Sequence, residues 1–268
     1  MRTFFIRLGF FLARFLSRRR HVHGTGPVTS NEQLLACLQP GDVLLVEGDS
    51  RISTAIKYLT QSTWSHAALF VGRHLAEAGG NPDHCFVEAD TVEGVRSIGI
   101  EEFTGQHTRI CRPVGLNAKD RLKLATFAIA RIGNQYDLRN VFDLARYLFP
   151  TPPVPLRFRR KMLTLGSGDP TRAICSTLIA QAFQAIHYPI LPIVEQRSVD
   201  APECPGCQEE ILRIRHHSLF VPMDFDVSPY FSIVKPRLET GFDFHQLRWD
   251  RGLTISSTSA APQPGVTP

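Results

Sequence analysis

The stretch "STWSHAALFVG", residues 62–72, passes from polar to strongly apolar within a few positions and sets His66 at the joint. The apolar run closed by Gly72 reads as a buried strand. A single imidazole at the mouth of such a strand is more often a satisfied structural histidine than a reactive group. Anything sharper needs partners from elsewhere in the chain.

The neighbouring segments supply a sheet. "GDVLLVEG" (41–48) is a short apolar run bounded by glycines, hence a strand, and "RISTAIKYLTQS" (51–62) carries Ile52, Ala55, Ile56 and Leu59 at helical spacing. "HCFVEAD" (84–90), "GVRSIGIEEF" (94–103) and "HTRICRPV" (107–114) read as further strands, the first reached through a turn at "AGGNPD". From Ala118 the period changes to that of a helix, which stops near Gly133. A second helix, "LRNVFDLARYLF", ends before "PTPPVP", and "LRFRRKMLTLGSGD" reads as a basic loop. "VPMDFDVSPYFSIVKP" (221–236) reads as an extended segment packing back on the body. Strands followed by helices make an α+β chain, long enough at 268 residues and 43% hydrophobic content to bury one sizeable core.

The formal charge of +5 is local. Residues 1–20 hold six of the 30 basic residues and no acidic one, which leaves 24 basic against 25 acidic residues in the rest. No nucleic-acid partner is expected of such a body. On a helical wheel Arg7, Arg14 and Arg18 fall together, with Phe4, Phe5, Leu8, Phe11, Leu12, Phe15 and Leu16 opposite. That pattern predicts an interfacial helix on an anionic membrane surface, the cytoplasmic side being favoured; a short uncleaved anchor is the alternative. The domain reading is then 1–20 membrane-associating helix, 21–39 linker, 40–245 catalytic domain and 246–268 disordered tail. No glycine-rich phosphate loop occurs, and no cofactor is expected.

Cys175 opens "CSTLIAQAFQAI", in which Leu178, Ile179, Ala182, Phe183 and Ile186 form one apolar helical face. A thiol in the first turn meets the positive end of the helix dipole and free N–H groups, which lower its pKa. An earlier helix start at Asp169-Pro170 would bury it one turn deeper; the later start is preferred. A carboxylate for His66 is also available. If Gly72 lies opposite Pro82 in an antiparallel hairpin, His66 falls opposite Glu88, although a shift of two residues satisfies the alternation equally.

Together with "GDVLLVEG", "SRISTAIKYLTQSTWSHAALFVG", "FVEAD" followed by "GV", "GNQYD" and "CSTLIAQAF", these residues resemble the permuted NlpC-type papain-like amidases of the YaeF/YiiX group, over about residues 40–187. The resemblance implies a circularly permuted papain-like α+β fold, an antiparallel sheet packed against the helix that bears the nucleophile. It also implies Cys175 as nucleophile, His66 as base and Glu88 as third polar residue. Papain places Cys before His, so the reversed order here is what permutation predicts. Ile174 and Ser176-Thr177 depart from the aromatic residue and Ser-Glu that often flank the group's Cys.

The expected chemistry is thiolate attack on an acyl carbon to give a thioester on the enzyme, which water or another nucleophile then resolves. The substrate is an acyl or amide compound, a lipid or a cell-wall peptide among the candidates. Trp64 and Tyr136 are candidate substrate contacts. A lipid acyltransferase using the same Cys and His, or a non-catalytic lipid- or envelope-binding module, are the rival readings. "CPGC" (204–207) with His216 and His217 is a weak metal pattern, a dithiol or plain loop being preferred, and no metal is assigned.

Overall fold

The computed structural model describes residues 29–90, 93–134, 174–198, 208–239 and 241–246. The 1–20 helix, Tyr136, the basic loop, Cys204 and Cys207 lie outside them, as does all but the first residue of the 246–268 tail.

Six antiparallel strands form the central sheet: β1 (Val43–Glu47), β2 (His66–Phe70), β3 (Phe86–Asp90), β4 (Gly94–Ile98), β5 (His107–Pro113) and β8 (Phe231–Val234), in the order β4-β3-β2-β1-β5-β8. The first five are the strands the sequence predicts. Both faces are covered, so the central strands carry apolar residues at nearly every position. One face, with Leu45, Leu69 and Val87, packs on α4 (Ala118–Ile129) through Leu124, Ala125 and Ala128, and on α5 (Ile174–Ala185) through Leu178, Ile179, Ala182 and Phe183. The other face, with Leu44, Ala68, Phe70, Phe86 and Ile110, packs on α1 (Asn31–Cys37) and on the 3-10 turn Ile100–Phe103.

Helix α1 corrects the reading of 21–39 as linker. Ser30 and Gln33 form a capping box, and Leu34 and Leu38 are buried against the sheet, so residues 30–38 belong to the folded body. The extended reading of 221–236 is also corrected in part. Pro222 at the first turn, with the Val221 N–H donating to the Asp224 carboxylate at 2.9 Å, starts a short helix α6 (Pro222–Val227) before β8 pairs with β5. Beyond α5, β6 (Ile193–Ser198) and β7 (Gln208–Arg213) form a separate hairpin that the sequence did not announce.

Helix α2 (Arg51–Thr60) fills the connection between β1 and β2, capped by Ser50 and ending at Gln61 in the left-handed region. A Cβ on Gly48 would meet Ser53 Oγ at 2.4 Å and Ser65 Oγ at 3.0 Å, while the Gly48 N–H donates to Ser65 Oγ at 2.9 Å. Glycine is therefore required there, and the contact fixes the residue just ahead of His66. The short α3 (His74–Glu77) follows β2.

Asp42, fully buried, joins three segments. Its carboxylate accepts from Arg112 Nε at 3.0 Å, from Arg112 Nη2 at 2.7 Å and from the Gln39 N–H at 2.9 Å, and Arg112 also donates to the Cys37 carbonyl. Removing the guanidinium strands a buried charge. Arg112→Leu is expected to lower stability by about 3–5 kcal/mol in urea denaturation, well beyond the change in Arg121→Leu, whose side chain meets only the Pro40 carbonyl among described residues.

Candidate active site

The site forms where the β2–β3 ladder ends early. Along β2 the Phe70 N–H donates to Asp42 of the β1 side and the Val71 N–H to Cys85 of the β3 side, so odd-numbered N–H groups face β3. Yet β2 and β3 pair only at Leu69↔Val87 and Phe70↔Phe86. The Ala67 N–H, next in that row, meets the Cys175 thiol instead of a strand partner. Helix α5 lies across β2 and β3 and brings Cys175, in its first turn, to this opening.

The observed pairing is two residues away from the expected one. Asn81 holds residues 81–84 in a turn, its side chain accepting from the Asp83 N–H at 3.0 Å and its carbonyl from the His84 N–H at 3.1 Å, which removes Pro82 from the strand. Continuing the observed register sets Ala68, not His66, across from Glu88. His66 and Glu88 are thus diagonal neighbours on one face, a separation a long side chain can bridge. The His66 Nε2–H donates to Glu88 Oε2 at 2.6 Å, which leaves Nδ1 for the thiol.

Glu88 is 3% exposed, and its second oxygen is held as well. Arg96, directly opposite on β4, donates to Oε1 from Nε at 2.9 Å and lies at 2.8 Å through Nη2; its Nη1 donates to Glu93 at 3.1 Å. Sequence reading missed Arg96, although a hairpin centred on residues 91–93 would have placed it across from Glu88.

Electrostatics follow from these contacts. Burial would push the His66 imidazole down, but the charges of Glu88 and Cys175 outweigh it and hold His66 well above its ordinary value. Burial would raise the Cys175 thiol; the His66 charge and hydrogen bond, the Ala67 N–H and the Ser176 hydroxyl bring it below its ordinary value. Burial would also raise Glu88, and His66 and Arg96 together hold it low. Both shifts act in the direction that favours a thiolate–imidazolium pair beside a carboxylate. Cys85 and Cys111 differ: burial pushes Cys85 up to about 11 and Cys111 further.

Trp64 does not line a cleft. It is 3% exposed, its indole N–H donates to Asp226 at 2.9 Å, and Arg109 and His107 cover its ring. Among the described residues no group of three or more His, Cys, Asp or Glu is arranged to hold a metal ion, and no helix is long and apolar enough to cross a membrane. His216 and His217 stack at 4.1 Å, with His216 Nδ1 bonded to Ser218.

The model of the permuted papain-like amidase family YaeF/YiiX, C92, matches residues 37–148, a segment that contains His66 and Glu88 and ends before Cys175. The permuted papain-like resemblance is thereby found independently over those residues, and the structure is α+β, with an antiparallel sheet packed against the helix that bears Cys175. The match supports a cysteine hydrolase of amidase type in general. Among solved structures, the crystal structure of the metalloprotein YiiX from Escherichia coli O157:H7 is 18% identical, aligned over 74% of this chain and 96% of that one with a TM-score of 0.42. No curated protein matches.

The buried charges make stability depend on pH. Glu88, lowered from 4.5, contributes stability that is present above that value and is lost as pH falls through its folded value. His66, raised from 6.5, contributes stability that is full below that value and is lost as pH rises through its folded value. Unfolding followed from pH 3 to 10 should therefore show the largest gap between the native chain and Glu88→Gln between about pH 5 and 6.5, narrowing on both sides.

Proposed function

We propose that the protein is a thiol-dependent acyl hydrolase of the amidase or peptidase type, in which Cys175 is the nucleophile, His66 the acid–base group and Glu88 its orienting carboxylate. The reading rests on one observation: the Cys175 thiol is in hydrogen-bond contact with a strand-mouth imidazole whose far nitrogen lies 2.6 Å from a buried carboxylate. That is nucleophile, base and orienter in sequence.

Each side chain then has a definite task. His66 holds the proton taken from Cys175, and the thiolate attacks the acyl carbon. N–H groups of the first turn of α5 face the developing oxyanion, each worth ~3 kcal/mol. As the tetrahedral adduct collapses, the imidazolium gives its proton to the departing amine or alcohol, leaving a thioester on Cys175. Neutral His66 next takes a proton from water, which attacks the thioester and frees the acid. An acceptor alcohol or amine in place of water would make the same residues an acyltransferase.

We also propose that residues 1–20 hold the protein on an anionic membrane, which brings lipid-linked acyl and amide substrates within reach. The basic stripe opposite the phenylalanine-rich face supports this. Deleting residues 1–20 should abolish cosedimentation with vesicles containing phosphatidylglycerol while leaving the thermal transition of the body in place. Undiminished binding would move the contact elsewhere.

Iodoacetamide near neutral pH should modify Cys175 fastest of the six cysteines, and His66→Ala should slow that reaction roughly tenfold. Incubation with a mixed set of N-acyl amino acid and phospholipid esters should leave an acyl mass on Cys175 that neutral hydroxylamine removes. Faster labelling of Cys85 or Cys111 than of Cys175 would end the nucleophile assignment.

A further inference from the structure

The diagonal placement of Glu88 poses a problem that a simple Cys-His-Glu reading leaves unsolved. A carboxylate directly opposite Ala68 must lean two residues along β2 to reach His66, and it must do so while buried. A free carboxyl group there could turn away or take up a proton. Arg96 is the direct cross-strand partner of Glu88, and its Nε and Nη2 both lie within 3 Å of the same oxygen, Oε1. The two carboxylate oxygens are thus divided between one guanidinium and one imidazole.

We propose that Arg96 is a positioning residue of the Cys175–His66–Glu88 site: it clamps Oε1 so that Oε2 is presented to His66, and its fixed positive charge sets the pH range over which the thiolate–imidazolium pair persists. This deepens the catalytic reading above and rests on it. The charged groups around Glu88 are His66 from β2, Cys175 from α5, Arg96 from β4, Glu93 just ahead of β4 and Asp90 at the end of β3. Of these Arg96 alone is a cation that does not titrate in the working range.

The sign of its effect follows. A fixed positive charge close by favours the deprotonated form of every neighbour, so it lowers both the thiol and the imidazole. Without it both proton losses move to higher pH, and the whole reactive window slides upward. Loss of the clamp alone would act the other way on the imidazole, because a Glu88 that turned away or took up a proton would no longer hold His66 high, and the upper inflection would fall. Arg96 is only partly exposed, at 30% of its side chain, so its charge is not fully screened by water.

The test uses the full chain and needs no substrate. The rate of Cys175 alkylation by iodoacetamide is followed by mass spectrometry from pH 4 to 10 in the native protein, Arg96→Gln and Arg96→Lys. Gln keeps a hydrogen-bond donor and loses the charge, while Lys keeps the charge. The expected result is that both inflections in Arg96→Gln rise by about one pH unit, and that those in Arg96→Lys stay within a few tenths of native. A normalised Arg96→Gln profile that superimposes on the native one overturns the proposal while leaving the Cys–His pair intact. An Arg96→Lys profile that moves as far as that of Arg96→Gln also overturns it. A native profile with a single inflection near that of an ordinary thiol, unaffected by His66→Ala, sinks the Cys–His pair and this proposal together.

Discussion

A sheet ladder that stops early is the constraint on which the site depends. Had β2 and β3 stayed paired to their ends, the Ala67 N–H would have been spent on a strand partner, and no opening would admit a sulfur atom. Because the pairing ends at Leu69↔Val87, one strand N–H is left to meet the thiol. Buried donors rarely go unpaired, so the opening demands an acceptor, and α5 provides it. The same divergence sets His66 and Glu88 on a diagonal and gives the long carboxylate side chain its role.

Much of the remaining architecture holds that opening in shape. On the α1 side Phe70, Phe86 and Phe103 meet edge to face, which stiffens the sheet beneath His66 and Glu88. On the α5 side Phe183 packs among Tyr188, Phe225 and Phe231, so the nucleophile helix is fixed by its apolar face well away from its reactive end. Asp226 ties α6 to the mouth of β2 through the Trp64 indole and to β5 through Arg109. Next to it Glu47 bridges Lys57 of α2 and His107 of β5. The polar groups at this end of the sheet are largely paired among themselves, and Cys175 meets His66 beside them.

What the sequence disclosed follows the range of the forces involved. Alternation and helical period are local, and they located β1 to β5, the apolar face of α5 and the three residues His66, Glu88 and Cys175. Register is not local: it was decided by how Asn81 folds residues 81–84, and the expected pairing came out two residues off. Helix α1 went unread although Ser30, Gln33 and Leu34 spell a capped start, because two turns carry little periodicity. Hairpin β6–β7 was missed because "IVEQRS" and "QEEILR" are weakly patterned and the "CPGC" between them reads as a metal pattern, dithiol or loop rather than as the turn of a hairpin. Arg96 escaped notice because its meaning lies across a strand pair. The Trp64 expectation failed because an aromatic beside a strand mouth can equally serve the core, as its bond to Asp226 shows.

The order of elements along the chain bears on biogenesis. Strands β1 to β5 follow one another in sequence and pair among themselves, β5 returning to β1, so the base and its carboxylate can be assembled while later residues are still within the ribosome. Cys175 arrives only after that sheet exists, and the strand that covers the open edge of β5, together with the Asp226 that latches Trp64, comes later still. A nascent chain would therefore carry a prepared but sulfur-free cradle for much of its synthesis. The reactive thiol would be the late addition, armed only as the carboxy-terminal third of the polypeptide closes over it.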